Sequence, residues 1–253
     1  MQLNFSLKEC ESPSGSIVFL HGFLEDLSMW DMLSKRFTQL GFRTLCVDLP
    51  CHGQSRFTGD YCTMEIMAAE VVKLLDSADF KTPWVIGHSM GGYVGLEMLK
   101  IRSLNLILLN SNFWSDSPQK KTDRNRIIQV VKKARETFIQ EAIPHLFYSA
   151  NKIRCTAAIK HLVSEAKKNP ASEIIACTAG LRDRRAQFEL FDHSTIHLIH
   201  GENDPLLPNE VLAEELGKID QNAVVSRIPD CGHMAVWEQP EKLEVILTTI
   251  IRP

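Results

Sequence analysis

The sequence predicts an α/β fold, with a mostly parallel, doubly wound sheet, helices on both of its faces and an inserted helical cap. Two observations carry this prediction. Short apolar segments alternate with longer amphipathic ones along most of the 253 residues, and one stretch near the middle shows helical patterns alone. Alternation of strand and helix is typical of parallel sheets, because each crossover helix returns the chain to the edge where the previous strand began.

Seven segments are predicted to be strands. Residues 2–9 alternate polar and apolar side chains as an edge strand does, and residues 223–230 are a weaker candidate. The other five are apolar almost throughout, which indicates strands covered on both faces. These five span residues 16–22, 42–50, 83–89, 105–111 and 195–202.

Four amphipathic helices are predicted to flank the sheet, over residues 28–40, 63–79, 208–219 and 240–251. Ser28 and Thr63 stand where N-caps are expected, and Gly41 follows the first helix as a stop. Pro208 and Pro240 open the last two helices, where a backbone N–H is not needed.

Residues 113–191 contain no convincing strand. Two helical patterns, over 123–140 and 157–168, occupy much of this stretch, which is too long to be a bare loop in a compact domain. Insertions at the carboxyl edge of a parallel sheet cover the place where ligands bind. We therefore predict an α/β core formed by residues 1–112 and 192–253, and a helical cap, or lid, formed by residues 113–191.

Composition narrows the class of protein. The net charge of −3 and the pI near 6.3 favour neither nucleic acid nor an anionic membrane as a partner. No apolar run reaches the roughly 18 residues of a membrane span, and the N-terminus lacks the pattern of a secretory signal. Seven cysteines without a C-x-x-C pair indicate reduced thiols. We expect a cytoplasmic protein that acts on a small molecule; its oligomeric state is not predicted.

The segment Gly87-His88-Ser89-Met90-Gly91 matches the pattern G-x-S-x-G, between a predicted strand and a helical pattern. In that context the serine lies on a sharp turn, and side chains two positions before and after it would collide. The turn exposes the serine hydroxyl, and it places the N–H of Met90 at a helix N-terminus, where developing negative charge is favoured. Ser89 is therefore a candidate nucleophile.

A serine hydroxyl needs a basic partner, and in this architecture the order along the chain is serine, acid, histidine. Asp204 directly follows the predicted strand 195–202, and His233 lies between the weak strand and the last helix. Asp204 could instead form an ordinary Asp-Pro turn. The other position for an acid, after strand 105–111, holds asparagines. His200 is the nearest rival to His233.

A second backbone donor is needed to stabilise an oxyanion beside Ser89. The strand 16–22 ends in His21-Gly22, so the N–H of Phe23 can face the serine. We expect Phe23 and Met90 to supply the two N–H groups.

These motifs together resemble those of the capped esterase and lipase branch of the α/β-hydrolase superfamily, over nearly the full chain. The matching segments are LHGF (20–23), VDLPCHGQS (47–55), GHSMGG (87–92), HGENDPLLP (200–208) and GHMAVWEQPE (232–241). The resemblance implies a sheet of about seven to eight strands, with Ser89 as nucleophile, Asp204 as acid and His233 as base. Cys51 stands where the family usually has glycine, and one N-terminal strand is apparent where the family often has a hairpin.

The resemblance implies a serine hydrolase that cleaves a small carboxylic ester or a related acyl compound, without cofactor or metal. Two alternatives use the same scaffold. One is a lyase like the menaquinone-pathway synthase of succinyl-hydroxycyclohexadiene carboxylate, whose polyanionic substrate would engage Arg124 and Arg126. That family generally has tyrosine where this chain has His88. The other alternative is a carbon–carbon bond hydrolase.

Substrate contacts are harder to predict, because they depend on the cap. The candidates are Leu24, Trp114, Arg124, Phe147, Met234 and Trp237. Aromatic side chains at such places are more often part of a core. The charged stretch 119–136, which contains Arg124, is more often a solvated helix face.

Overall fold

A computed structural model describes residues 1–194, 196–219 and 223–251. Its strands are β1 (Phe5–Lys8), β2 (Gly15–Leu20), β3 (Phe42–Val47), β4 (Trp84–His88), β5 (Asn105–Leu109), β6 (Ile196–Gly201) and β7 (Ala223–Ile228). They form one seven-stranded sheet in the order β1-β3-β2-β4-β5-β6-β7. The edge strand β1 pairs antiparallel with β3, and the other neighbours pair in parallel.

The helices are α1 (Asp31–Gln39), α2 (Met64–Ser77), α3 (Met90–Leu99), α4 (Pro118–His145), α5 (Thr156–Ala166), α6 (Ala171–Asp183), α7 (Asn209–Leu216), α8 (Ala235–Glu238) and α9 (Pro240–Ile250). Side chains of α2 and α3 pack in one apolar cluster on one face of the sheet. Side chains of α1 and α9 pack in a second cluster on the other face. The sheet is doubly wound, as the sequence predicts.

Each predicted strand is present, but several end earlier than the apolar pattern does. Strand β3 ends at Val47, whereas the predicted strand extends to residue 50. The prediction ran too far because Leu49, in the loop that follows, is fully buried and continues the apolar pattern. Apolar periodicity reports burial and not backbone pairing, so it overshoots the strand. Thr195, predicted as the first residue of the sixth strand, lies outside the described residues.

The helix starts are partly as predicted. Thr63 caps α2 by accepting from the N–H of Ile66 at 3.3 Å, and Pro240 is the first residue of α9. Ser28 was predicted as an N-cap, and this is wrong. A 3₁₀ turn over Leu27–Trp30 precedes α1, and Asp26 caps that turn by accepting from the N–H of Ser28 at 2.8 Å.

Three helices, α4, α5 and α6, lie between β5 and β6, in the stretch predicted as a cap. Helix α4 begins at Pro118 rather than near residue 123, because Ser117 caps it, and its backbone is kinked at Ala134 (φ −148°, ψ 51°). Both α5 and α6 contact α4. The division between core and cap at residues 112/113 and 191/192 stays a prediction.

The carboxyl ends of the parallel strands meet at one edge of the sheet. The segments that leave β2, β4, β5, β6 and β7 there carry most of the candidate site residues. Cys51, on the loop after β3, has φ +73°, a left-handed conformation that favours glycine. This explains why glycine is usual at that position. No described helix is long and apolar enough to cross a membrane.

Candidate active site

Ser89 lies at the apex of the turn between β4 and α3, with φ +49° and ψ −114°. This conformation is rare for a residue with a side chain, and the tight turn leaves no room nearby. A Cβ atom on Gly87 would lie 2.4 Å from the carbonyl oxygen of Gly91, and one on Gly91 would lie 2.3 Å from the carbonyl oxygen of Leu20. The glycines are therefore required by the turn that presents Ser89.

The side chains of Ser89, His233 and Asp204 form a continuous hydrogen-bonded series. The Oγ atom of Ser89 lies 2.9 Å from Nε2 of His233. The Nδ1 atom of His233 lies 2.7 Å from Oδ2 of Asp204. His233 and Asp204 are buried, whereas Ser89 is half-buried beside a cavity. This arrangement can orient the imidazole so that Nε2 is free to take a proton from the hydroxyl.

The carboxylate of Asp204 is held in its ionised form. Its Oδ1 atom accepts from the N–H groups of Leu206 at 2.8 Å and Leu207 at 3.2 Å. Burial alone would raise the pKa of this carboxyl, but the nearby His233 and the hydrogen bonds lower it below its ordinary value. The same two hydrogen bonds close a turn that begins at Asp204. Asp204 can therefore form the Asp-Pro turn and also contact His233.

Asn110 belongs to this site, although the sequence analysis gave it no role. It follows β5, and its Nδ2 atom donates to Oδ2 of Asp204 at 3.0 Å and to the carbonyl of Gly232 at 3.1 Å. Its φ of +45° is tolerated by asparagine better than by most residues. The sequence did point to this position, because Asn110 lies after the predicted strand 105–111, where an acid was also considered.

The candidate oxyanion donors belong to two segments that meet at the cavity beside Ser89. Phe23 and Met90 both line the same cavity as Ser89. Met90 is the first residue of α3, so its N–H has no partner within the helix. Leu24, a candidate substrate contact, also lines the cavity and has φ +65°. His200, the rival base, is bonded through Nε2 to Oδ1 of Asn209 at 3.1 Å.

The cavity beside Ser89 has a volume of about 350 Å³ and is lined by the core edge, by α4 and by Leu181 and Arg184 at the end of α6. Its apolar lining includes Ile127, Phe138 and Ile143 of α4. A space of this size is within the range of small-molecule sites.

One wall of the cavity carries an excess of positive charge. Arg184 and Arg124 both bind the buried carboxylate of Asp116, at 2.6 Å and 3.1 Å. Lys120 also lines the wall, and its Nζ atom donates to the carbonyl of Leu206 at 3.3 Å. The pKa of Lys120 is lowered by loss of hydration and by the two arginines, while Asp116 opposes this shift.

The structure does not bring the other predicted substrate contacts to this cavity. Phe147, Met234 and Trp237 pack in the apolar cluster that joins α4, α5 and α6 to the core. Trp114 packs edge-on against Phe113 and lines a separate small pocket. These four side chains fill apolar contacts between elements, which is the commoner use of large side chains.

Arg124 lines the cavity, but its guanidinium is engaged by Asp116. Arg126 points away, with 74% of its side chain exposed. Among the residues that the structure describes, no group of three histidine, cysteine, aspartate or glutamate side chains is placed to hold a metal ion.

Comparison with known proteins gives consistent matches over the whole chain. The model of the alpha/beta hydrolase family matches residues 17–244. The monoacylglycerol lipase ABHD6 of Bos taurus is 23% identical over 277 residues, covering 99% of this chain and 79% of that protein. The AB hydrolase superfamily protein YisY of Bacillus subtilis is 24% identical over 243 residues, covering 91% of this chain and 89% of that protein.

Solved structures match equally well. A thermophilic esterase from Thermogutta terrifontis superposes with a TM-score of 0.88 and 25% identity, covering 98% of this chain and 92% of that one. The enol-lactonase from Burkholderia xenovorans LB400 superposes with a TM-score of 0.86, covering 98% and 95%. Its identity of 18% shows likeness of fold alone.

Proposed function

Because this chain belongs to the alpha/beta hydrolase family, we propose that it is a serine hydrolase that cleaves a small carboxylic ester or a related acyl compound. Its relatives include lipases and esterases, which supports hydrolase activity in general. The observation that carries the finer proposal is the hydrogen-bonded series from Ser89 through His233 to Asp204.

In the first half of the reaction, Oγ of Ser89 attacks the carbonyl carbon while Nε2 of His233 takes the hydroxyl proton. Asp204 stabilises the imidazolium that forms. The N–H groups of Phe23 and Met90 donate to the oxyanion of the tetrahedral intermediate. His233 then protonates the leaving alcohol, and the acyl-enzyme remains.

In the second half, His233 takes a proton from a water molecule, which attacks the acyl-enzyme. The second tetrahedral intermediate uses the same two N–H donors and collapses with return of the proton to Ser89. The acid is released and the protein returns to its starting state. No step requires a cofactor.

The cavity bounds the substrate class. Its volume of about 350 Å³ suits a small ester, and its apolar wall from α4 suits a short acyl chain. On the opposite wall, Lys120, Arg124 and Arg184 lie in the cavity lining with the carboxylates of Asp116 and Asp123, which leaves one positive charge in excess, so an anionic group on the ester is favoured there. Among the described residues, Arg124 and Arg184 each have a carboxylate oxygen within 4 Å, whereas Lys120 has none within that distance of its Nζ atom.

The lyase and carbon–carbon hydrolase alternatives receive no specific support. The lyase reading depended on Arg124 and Arg126, and Arg124 is paired with Asp116 while Arg126 is exposed. A panel of short-chain esters, the lyase substrate and ring-cleavage products distinguishes the three classes by turnover.

A fluorophosphonate probe tests the mechanism, because it reacts with activated serines. We expect the wild-type protein to be labelled and Ser89→Ala not to be labelled. In a separate assay of ester turnover, Ser89→Ala and His233→Gln should each be roughly 10⁴- to 10⁶-fold slower than wild type. His200→Gln is the matched control and should retain labelling, since His200 bonds Asn209 and does not line the cavity. Labelling that persists in Ser89→Ala would contradict the assignment.

A further inference from the structure

Two ionisable side chains that the proposed reaction does not use are buried directly behind the site. His88 precedes Ser89 in the turn, and Glu25 lies two residues after Phe23. Their exposed fractions are 0% and 3%, and His88 Nδ1 lies 2.9 Å from Oε2 of Glu25. Two such groups are retained in an interior only when partners compensate for their lost hydration.

Both ring nitrogens of His88 face acceptors. Nδ1 faces the Glu25 carboxyl, and Nε2 lies 2.9 Å from the main-chain carbonyl oxygen of His233. A carbonyl only accepts, so Nε2 carries a proton. Nδ1 can then either donate to an ionised Glu25 or accept from a protonated one.

The main chain of Gly22 favours the ionised form of Glu25. The same Oε2 atom that faces His88 also accepts from the N–H of Gly22 at 2.5 Å, and an ionised carboxylate is a stronger acceptor for that N–H than a protonated one. Burial opposes charge on both side chains. Nevertheless, their mutual attraction raises the pKa of His88 and lowers that of Glu25. Asp204 and the His233 carbonyl further raise the pKa of His88, and His21 further lowers that of Glu25.

The pair contacts three of the four segments that carry the proposed chemistry, those of Phe23, Ser89 and His233. Glu25 binds Gly22, the residue before the oxyanion donor Phe23. His88 binds the main chain of His233 and is covalently joined to Ser89. A Cβ atom on Gly22 would lie 2.7 Å from Oε2 of Glu25 and 2.9 Å from Nδ1 of His88, so the loop packs directly on the pair.

We infer that Glu25 and His88 form a buried carboxylate–imidazolium pair that positions the Phe23 donor and the base His233 around Ser89. Both are positioning residues, and the inference of their role rests on the proposed function. A displacement of about 1 Å in such groups can slow a reaction by roughly 100-fold.

The charge state is tested on wild-type protein by ¹⁵N NMR of the histidine rings, with His88 assigned from the spectrum of His88→Gln. We expect both ring nitrogens of His88 to be protonated at pH ~7.5, where a histidine with the usual pKa of ~6.5 is mostly neutral. One unprotonated ring nitrogen at that pH would overturn the ion pair. This measurement needs no turnover, so it is independent of the proposed function.

The positioning role is tested by the rate of fluorophosphonate labelling in Glu25→Gln. Glutamine is isosteric but neutral, so His88 must either stay charged without a counter-ion or withdraw one donated hydrogen bond. We expect the maximal labelling rate to fall about 10- to 100-fold, with apparent probe affinity within about threefold of wild type. Glu244→Gln is the matched control, because Glu244 pairs with Arg36 on the surface.

A Glu25→Gln labelling rate within about threefold of wild type, in a folded protein, would overturn the positioning role. If Glu25→Gln does not fold, His88→Gln is measured in the same way, since its amide keeps a donor for only one partner. Failure of the wild type to label at all would refute the proposed function instead, and the NMR result would still decide the charge state.

Discussion

Asn110 donates to Oδ2 of Asp204 at 3.0 Å, and the same oxygen lies 2.7 Å from Nδ1 of His233. One carboxylate oxygen therefore serves the imidazole and is itself oriented by an asparagine from the neighbouring strand. Strands β5 and β6 are adjacent in the sheet, so the two side chains meet at its carboxyl edge. Asp204 is thus held by Asn110 at the end of β5, which is the other position that the sequence suggested for an acid.

Replacing Asn110 by alanine should weaken the orientation of Asp204. A hydrogen bond to a charged group contributes about 1.5–3 kcal/mol, so we expect kcat/KM for a short-chain ester to fall roughly 10- to 100-fold. Asn110 is one of the causes that hold the pKa of Asp204 below its ordinary value. The variant loses that cause, so the pKa of the Asp204 carboxyl should rise in Asn110→Ala.

The kcat/KM values of wild type and variant measure the loss of activity, and ¹³C NMR of the Asp204 carboxyl measures the shift of its pKa. Asn112→Ala is the matched control, because Asn112 also lines the cavity but donates to the hydroxyl of Tyr93 at 2.9 Å. An Asp204 pKa that does not rise in Asn110→Ala would mean that the asparagine does not act through Asp204.

Replacing Gly91 by alanine should destabilise the protein as well as abolish labelling of Ser89. The new Cβ would lie 2.3 Å from a main-chain oxygen of β2, which cannot move aside as a flexible side chain can. We expect a loss of about 1–3 kcal/mol or more in the free energy of unfolding, measured by urea denaturation. Gly217→Ala is the control, since Gly217 has φ −66° and its Cβ would lie 3.3 Å from the nearest atom. Equal stability of the two variants would refute the steric argument.

Replacing Lys120 by methionine should reduce any preference for anionic esters. Monoethyl succinate and ethyl butyrate have acyl chains of matched length and differ in one carboxylate. An ion pair at a partly exposed position contributes up to about 1 kcal/mol, so the ratio of the two kcat/KM values should fall about 2- to 5-fold. Lys121→Met is the matched control, because Lys121 is the next residue of α4, is exposed and does not line the cavity.

A wild-type protein that hydrolyses both esters equally well would show that the charge excess on this wall does not select the substrate. High salt should also reduce the preference, because Lys120 lies at the mouth of the cavity where solvent screens its charge.

The strand segments and the turn at Ser89 could be predicted because both follow from local chemistry. Buried parallel strands are apolar throughout, and only glycine fits on either side of a strained serine. Asp204 and His233 could be predicted as well, because each follows a strand and the carboxyl ends of parallel strands share one edge. Their roles as acid and base remain proposals, and the distances of 2.7 and 2.9 Å support them.

The residues around the site could not be predicted in the same way. Phe147, Met234 and Trp237 look like pocket residues in the sequence, but they fill the contact between the core and α4, α5 and α6. Whether a large apolar side chain faces a cavity or a neighbouring helix depends on how the kinked α4 packs, which no local pattern encodes.

By itself, the sequence determined an α/β fold with a serine presented on a glycine-bounded turn and with an aspartate and a histidine on later turns. Only the tertiary structure decided what stands behind them. Glu25 meets His88 across 63 residues of sequence, and Asn110 meets Asp204 across 94. Such contacts depend on adjacency in the sheet and on the loss of water from the interior, where each buried charge or amide must find its partner.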